Sequence, residues 1–243
     1  MKNKKRLDLC LAELYPHYSR AQLQSFIMQG DVFVDGVKIT KPGMSIANDV
    51  EIVLKAEPPK YVCRAGWKLE KALDYFNIDP TGFIILDAGL STGGFTDCLL
   101  QRGAQKIYGV DVGYGQAHEK IRSDARVVVL ERTNLREYKH VGEPLDLVTL
   151  DLSFISLLKV IDVVKKLLQP GNCLITLIKP QFEAGRGEVP AGGVIKDSAL
   201  HQRVVADVVA GIEVEGFACK GVIESPILGA AGNKEFLACF ERL

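Results

Sequence analysis

The stretch Phe83-Ile-Ile-Leu-Asp87-Ala-Gly89-Leu-Ser91-Thr92-Gly93-Gly94-Phe95 decides the fold of most of this chain. Its apolar opening run is short and ends at a glycine-rich turn, which reads as a buried strand, Phe83–Asp87. Gly89, Gly93 and Gly94 permit unusual backbone angles and close approach to a ligand, and a helical stretch follows near 94–102. The same unit recurs along the chain. Further candidate strands are Lys106–Asp111, Val127–Leu130, Leu145–Leu150 and Cys173–Ile178, with helical stretches near 155–168 and 199–211. That alternation predicts an α/β fold with a largely parallel, doubly wound sheet.

In such sheets ligands bind at the carboxyl ends of the strands, which places a cofactor over the turn after Asp87. The strict G-x-G-x-x-G of dinucleotide enzymes is absent, which counts against NAD and a dehydrogenase. Asp111 closes the second strand, where a carboxylate can accept hydrogen bonds from ribose hydroxyls. Asp87, Gly89, Ser91, Thr92, Gly93 and Asp111 are therefore candidate ligands of a nucleoside-type cofactor. Thr133 and Asn134, at the end of the third strand, are candidates for the same pocket or ordinary turn residues. The last segments, Cys219–Glu224 and Glu235–Phe240, are joined by a glycine-rich loop and not a helix. A terminal hairpin on a parallel sheet resembles class I (Rossmann-like) methyltransferases more than dehydrogenases.

Polar residues stand where apolar strands end: Asp151 after Leu145–Leu150, Lys179 after Ile175–Ile178, and Glu235 at the start of the last strand. Lys68 lies at the start of a helix leading into the sheet. Each has a plain alternative, since Asp151 or Ser153 can cap a helix near Ile155, and Lys68, Lys179 and Glu235 can be surface charges. A lysine ending an apolar strand is expected to be partly desolvated, so Lys179 is the strongest candidate.

Residues 1–56 read as a separate small α+β domain. Arg6–Leu14 gives a helix with Leu7, Leu11 and Leu14 on one face, and Ser19 with Gln22 forms a capping-box pattern. The second helix stops at Gly30. Val32-Phe-Val34, Asp35-Gly36 and Val37-Lys-Ile39 then make a hairpin signal, and Val50–Leu54 adds a strand. The pattern Arg6-Leu7-Asp8, Ser19-Arg20, Ile27-x-x-Gly30-x-Val32-x-Val34-x-Gly36 and Lys41-Pro42-Gly43 resembles the alpha-L RNA-binding module named after small-subunit ribosomal protein four. The resemblance implies that Arg6, Arg20, Lys38 and Lys41 contact RNA phosphates. Ala56-Glu-Pro-Pro-Lys60 suggests an extended spacer, so the domains are expected at 1–56 and 68–243 with a linker over 57–67.

Composition limits the alternatives. The 243 residues are 47% hydrophobic and carry 30 basic and 30 acidic residues, so nucleic-acid binding has to come from local patches. The six cysteines show no C-x-x-C spacing and do not cluster with the histidines, which argues for reduced thiols, no metal site and a cytoplasmic location. No apolar run is long enough to span a membrane.

From Tyr61 onward the chain is similar to the TlyA family of ribosomal RNA methyltransferases, relatives of the FtsJ 2′-O-methyltransferases. The motifs that carry this are Tyr61-Val-Cys-Arg64-Ala-Gly66-x-Lys68-Leu69, Gly89–Gly94, Asp111-Val-Gly-Tyr-Gly-Gln116, Glu131-Arg-Thr-Asn134, Asp151-Leu-Ser-Phe-Ile-Ser156, Ile178-Lys-Pro-Gln-Phe-Glu183 and Gly232-Asn-x-Glu235-Phe236. The resemblance implies S-adenosyl-L-methionine as cofactor, ribosomal RNA or a ribosomal subunit as partner, a cytidine ribose as acceptor, and a catalytic tetrad Lys68, Asp151, Lys179 and Glu235. Cys63, Ala65 and Leu90 depart from the family's usual Ser, Gly and Ala. The glycine-rich segment Glu183–Gly193 is either a loop that orders over RNA or an ordinary surface loop. The rival functional reading is a non-catalytic RNA-binding or ribosome-assembly factor; a membrane-lysing protein, suggested by the family's haemolysin label, is disfavoured by the absence of a spanning or strongly amphipathic basic segment.

Overall fold

A computed structural model describes residues 4–16, 18–55, 59–185, 187–229 and 231–243. The chain divides into two units, Met1–Pro59 and Lys60–Leu243. In the first, β1 (Lys4–Arg6) runs directly into α1 (Leu7–Leu14), followed by α2 (Arg20–Gln29), β2 (Val32–Val34), β3 (Val37–Ile39), β4 (Ser45–Ala47) and β5 (Ile52–Leu54). Both halves of the capping box form at α2: Ser19 Oγ accepts from the Gln22 N–H, and the Gln22 side chain accepts from the Ser19 N–H. Gly30 ends that helix in the left-handed region. Leu7, Leu11, Leu23, Ile27 and Val32 are fully buried in the small core between helices and sheet. Arg6 is not helical, as the sequence suggested, but extended. β1 pairs with β4, and the N–H groups of Leu7 and Asp8 donate to the carbonyls of Met44 and Pro42.

Residues 56–58 of the expected spacer lie outside the described residues. Those that follow are not a linker. Tyr61 is buried, the Val62 N–H donates to Asp97 Oδ2 at 2.8 Å, and Gln101 Nε2 donates to the Lys60 carbonyl at 2.7 Å. An aromatic side chain and a backbone donor find partners on the second unit, so the chain joins that unit at Lys60.

The second unit contains α3 (Ala65–Tyr75), β6 (Ile84–Ala88), α4 (Gly94–Gln101), β7 (Lys106–Val110), α5 (Glu119–Arg122), β8 (Val127–Leu130), β9 (Leu145–Leu150), α6 (Ile161–Leu167), β10 (Leu168–Ile178), α7 (Pro180–Glu183), α8 (Ser198–Val214), β11 (Phe217–Glu224) and β12 (Phe236–Arg242). Its seven strands are ordered β8-β7-β6-β9-β10-β12-β11. The first five are parallel, and β12 inserts antiparallel between β10 and β11, as the missing helix before the last strand suggested. Apolar side chains on both faces build two cores, one around Leu86, Val148 and Leu174, the other around Ile85, Leu147 and Ile175. Neighbouring residues of each strand point to opposite faces, which explains why these strands read as unbroken apolar runs.

The strand order reverses between β6 and β9, so the crevice above their carboxyl ends is where this topology places a ligand. One carboxylate ties that region together. Asp87, 1% exposed, accepts from Thr96 Oγ1 of α4 at 2.6 Å and from Thr149 Oγ1 of β9 at 2.8 Å. Burial pushes its carboxyl up from 3.8 to about 6, against the two hydroxyl donors. A carboxyl raised in the folded state supports folding fully below its unfolded value and loses that support as pH rises through about 6. The expected outcome is a fall in unfolding free energy between pH 4 and 7, on the order of 3 kcal/mol, that is absent in Asp87→Asn. Urea unfolding of both proteins across that range checks it.

Candidate active site

A cavity of about 500 Å³ opens above the carboxyl ends of β6, β7 and β9. Gly89, Ser91, Asp111, Thr133 and Asn134, all proposed from the sequence, line it. Gly89 has φ +88, and a Cβ there would meet the Asp151 carbonyl at 2.5 Å, so only glycine lets the turn pass this close to β9's end. Asp111 Oδ2 accepts the Ser91 N–H and Oδ1 the Gly113 N–H, each at 2.7 Å. The carboxylate thereby fixes the glycine-rich turn against the next loop while retaining lone pairs for a ligand's hydroxyls. Asn134 Oδ1 accepts the Arg136 N–H at 3.1 Å, the turn role that was its alternative reading.

A second, small cavity of about 60 Å³ adjoins the first and is lined by Gly89, Ser91, Thr92, Cys63, Ala65 and Asp151, among others. The departures Cys63 and Ala65 therefore sit at this end of the site. Asp151, Gly89 and Ser91 line both cavities. Two of the eight cofactor candidates, Asp87 and Gly93, line neither, and nor do the charged candidates Lys68, Lys179 and Glu235. Asp87 lies beneath the turn with its oxygens taken by threonine hydroxyls, and Gly93 is the residue that leads into α4.

The four charged candidates form two ion pairs. Lys68, on the first turns of α3, donates to Glu235 Oε2 at 2.6 Å, with both side chains less than a tenth exposed. Lys179, at the end of β10, lies 2.6 Å from Asp151 Oδ1 and donates to Ser153 Oγ at 2.9 Å. Asp151 Oδ1 is buried and receives no hydrogen bond from the described residues, so its contact with the ammonium is Coulombic. Asp151 caps no helix; Ser156 does, accepting the Leu158 N–H at 3.3 Å. Below the loop, Glu183 Oε1 accepts the Leu157 N–H at 2.9 Å, and burial raises its carboxyl above the usual range.

Gln116, within a motif quoted from the sequence, and Ser153, read there as a possible helix cap, also line the larger cavity, together with Phe154 and Arg136, which were not singled out. Phe154 is the most unusual. It has φ +65, its side chain is 91% exposed, and its ring centroid lies 4.9 Å from that of Phe182. A strained, exposed aromatic at the mouth of a largely apolar cavity marks a contact surface. The available signal was an aromatic residue inside the loop that follows Asp151; its backbone angle carries no signature.

In the first unit, Arg6 and Arg20 converge on one carboxylate. Asp8 is fully buried; Arg6 Nε and Nη2 donate to its two oxygens at 3.0 Å, and Arg20 Nη2 and Gln24 Nε2 donate to Oδ2 at 2.8 Å. The Arg6 guanidinium, with Arg20 and Gln24, holds this carboxyl well below the usual carboxylate range. Both guanidiniums remain about half exposed. Lys38 and Lys41 are exposed, the first on the hairpin and the second in the turn after it.

Residues 61–242 match the FtsJ-like methyltransferase family. The chain belongs to that family. Residues 5–49 match the S4 domain. The provisionally named rRNA methyltransferase YqxC of Bacillus subtilis is 44% identical over 96% of this chain and 84% of its own length. The 16S/23S rRNA (cytidine-2′-O)-methyltransferase TlyA of Mycobacterium tuberculosis is 39% identical over 97% of this chain and 89% of its own. A solved structure from Streptococcus thermophilus, carrying a provisional hemolysin name, superposes with a TM-score of 0.75 at 39% identity, covering 100% of this chain and 90% of that one. No helix among the described residues is long and apolar enough to cross a membrane.

The Lys68–Glu235 pair yields a stability test. Removing one member strands the other charge in a desolvated place, at a cost of about 3–5 kcal/mol. Glu235→Leu alone is expected to destabilise the protein by that amount, and adding Lys68→Met to recover most of it. Urea unfolding of the wild type, the two single variants and the double variant measures the coupling.

Proposed function

We propose that the chain is an S-adenosyl-L-methionine-dependent methyltransferase acting on a ribose 2′-hydroxyl of ribosomal RNA, with a cytidine as the acceptor. The observation that carries this reading is the position of Asp151. It lines both cavities and is paired at 2.6 Å with Lys179, so the carboxylate at the shared wall has an ammonium directly behind it. The family match and the substrate named for TlyA point the same way.

The residues present fit the cofactor. Asp111 offers acceptors to ribose hydroxyls at the rim of a cavity large enough for an adenosine, and the bare backbone at Gly89 leads into the smaller cavity, where Ser91 and Thr92 offer polar contacts to the amino-acid end. When bound, the cofactor supplies an already activated sulfonium methyl. The protein's task is to align the 2′-oxygen and stabilise the charge that develops as its proton leaves. Lys179 Nζ, held by Asp151 and Ser153, steers that hydroxyl. Lys68 adds positive charge and Glu235 fixes its place. Phe154 offers an exposed ring on which the target base can stack, a contact worth about 1–3 kcal/mol.

The S4 unit supplies sequence-independent affinity. Asp8 orients the guanidiniums of Arg6 and Arg20 while each stays about half exposed to phosphates. Lys38 and Lys41 add charge nearby in sequence.

Transfer of labelled methyl from S-adenosylmethionine to unmodified ribosomal subunits and to naked rRNA tests the reading. Incorporation into a ribose by the wild type and its loss in Lys179→Ala are expected; no incorporation into any RNA, despite binding of cofactor and RNA, would favour the assembly-factor alternative. Arg6→Ala and Arg20→Ala are each expected to weaken RNA binding and to lower the slope of log K against log salt by about 1. An unchanged slope, measured by filter binding at several salt concentrations, would remove those residues from the interface.

A further inference from the structure

The two ion pairs of the site meet where β10 and β12 pair, with Ile178 opposite Phe236, and Asn233 adds a tie from the loop before Glu235 to the segment that follows Lys179. Its side chain is 1% exposed, and both polar atoms of the amide are bonded. Oδ1 accepts the Ile195 N–H at 2.9 Å, and Nδ2 donates to the Gly193 carbonyl at 2.9 Å. Gly193 and Ile195 end the segment that begins at Lys179 and passes through α7 and the glycine-rich loop. The Asn233 carbonyl in turn accepts the Gly229 N–H at 2.8 Å. Gly229 forms the wall behind Glu235: a Cβ on Gly229 would collide with Glu235 Oε1, so this backbone can stand there only without a side chain. One residue thus ties the Lys179 segment with its amide and the backing of Glu235 with its carbonyl, two positions before Glu235 itself.

We infer that Asn233 is a positioning residue that keeps the Lys68–Glu235 pair in register with Lys179 and Asp151. The inference rests on the catalytic reading of the four charged residues. Among the described residues, the Lys179 segment is held by Glu183 on the Leu157 N–H, by Glu188 on Arg203 of α8, and by Asn233 on Gly193 and Ile195. Buried amide bonds of this kind have little freedom to relax, so losing them shifts the backbone that carries the site. Small displacements of reacting groups lower turnover far more than they lower ligand binding.

The experiment compares the full-length wild type with Asn233→Ala, Asn233→Asp and Lys179→Ala, using S-adenosylmethionine and unmodified ribosomal subunits. Asn233→Asp keeps the acceptor for Ile195 and replaces the donor to Gly193 with a buried acceptor, so it probes that one bond if the alanine variant does not fold. Positioning predicts a fall in kcat of roughly ten- to a hundredfold, with KM for both substrates and the cofactor Kd changed less than about twofold. An unchanged kcat, or a loss that tracks weaker cofactor binding and a lower Tm, would overturn it and leave Asn233 a stability residue. Methyl transfer retained by Lys179→Ala would instead defeat the catalytic reading beneath it, so the two failures are told apart.

Discussion

An ammonium group taken out of water must have a carboxylate beside it, and the ends of β10 and β12 are arranged around that requirement. Lys68 and Lys179 are each less than a tenth exposed, and each has an acidic partner at 2.6 Å. The partners come from other elements: Glu235 from the start of β12, Asp151 from the end of β9. Pairing therefore fixes how α3, β9, β10 and β12 meet. The antiparallel β12 is necessary to this arrangement, because its direction brings the first residue of the last strand to the edge where the parallel strands end.

The reversal of strand order between β6 and β9 opens the crevice, and polar groups hidden beneath it hold its shape. Asp87 braces α4 and β9 through two hydroxyls, while Asp111 holds the glycine-rich turn through backbone donors. Asp87 lies within β6 opposite Gly109, Asp111 just beyond the end of β7, and the two do different work. One is sealed from solvent, and the other faces the cavity. The S4 unit uses the first device again, since Asp8 is buried so that the guanidiniums above it are held in place.

Much of this was legible in the sequence. Apolar runs alternating with helical stretches gave the parallel sheet, and the lack of a helix before the last strand gave the terminal hairpin. Ser19 and Gln22 announced the start of α2. The failures have physical causes. β1 and β4 are three residues each, too short for a period to show, so Arg6 was read into the helix. The helix expected over 155–168 is a single tight turn, Leu157–Lys159, followed by α6, because Ser156 starts the turn and Val160 interrupts it. Asp87 was placed in the cavity because the sequence does not distinguish a strand-end carboxylate facing a ligand from one facing two threonines. The pairing of Lys68 with Glu235, the bonds of Asn233 and the backbone of Phe154 are tertiary facts with no local signature.

Lys68 and Glu235 are 167 residues apart in the chain, yet they share a hydrogen bond inside the site. Contacts of such long range are entropically costly to close and tend to form late in folding. The Lys68–Glu235 pair is consequently a product of finished folding. On the catalytic reading proposed above, methyl transfer would report completion of the second unit, whereas RNA binding by the S4 unit would not.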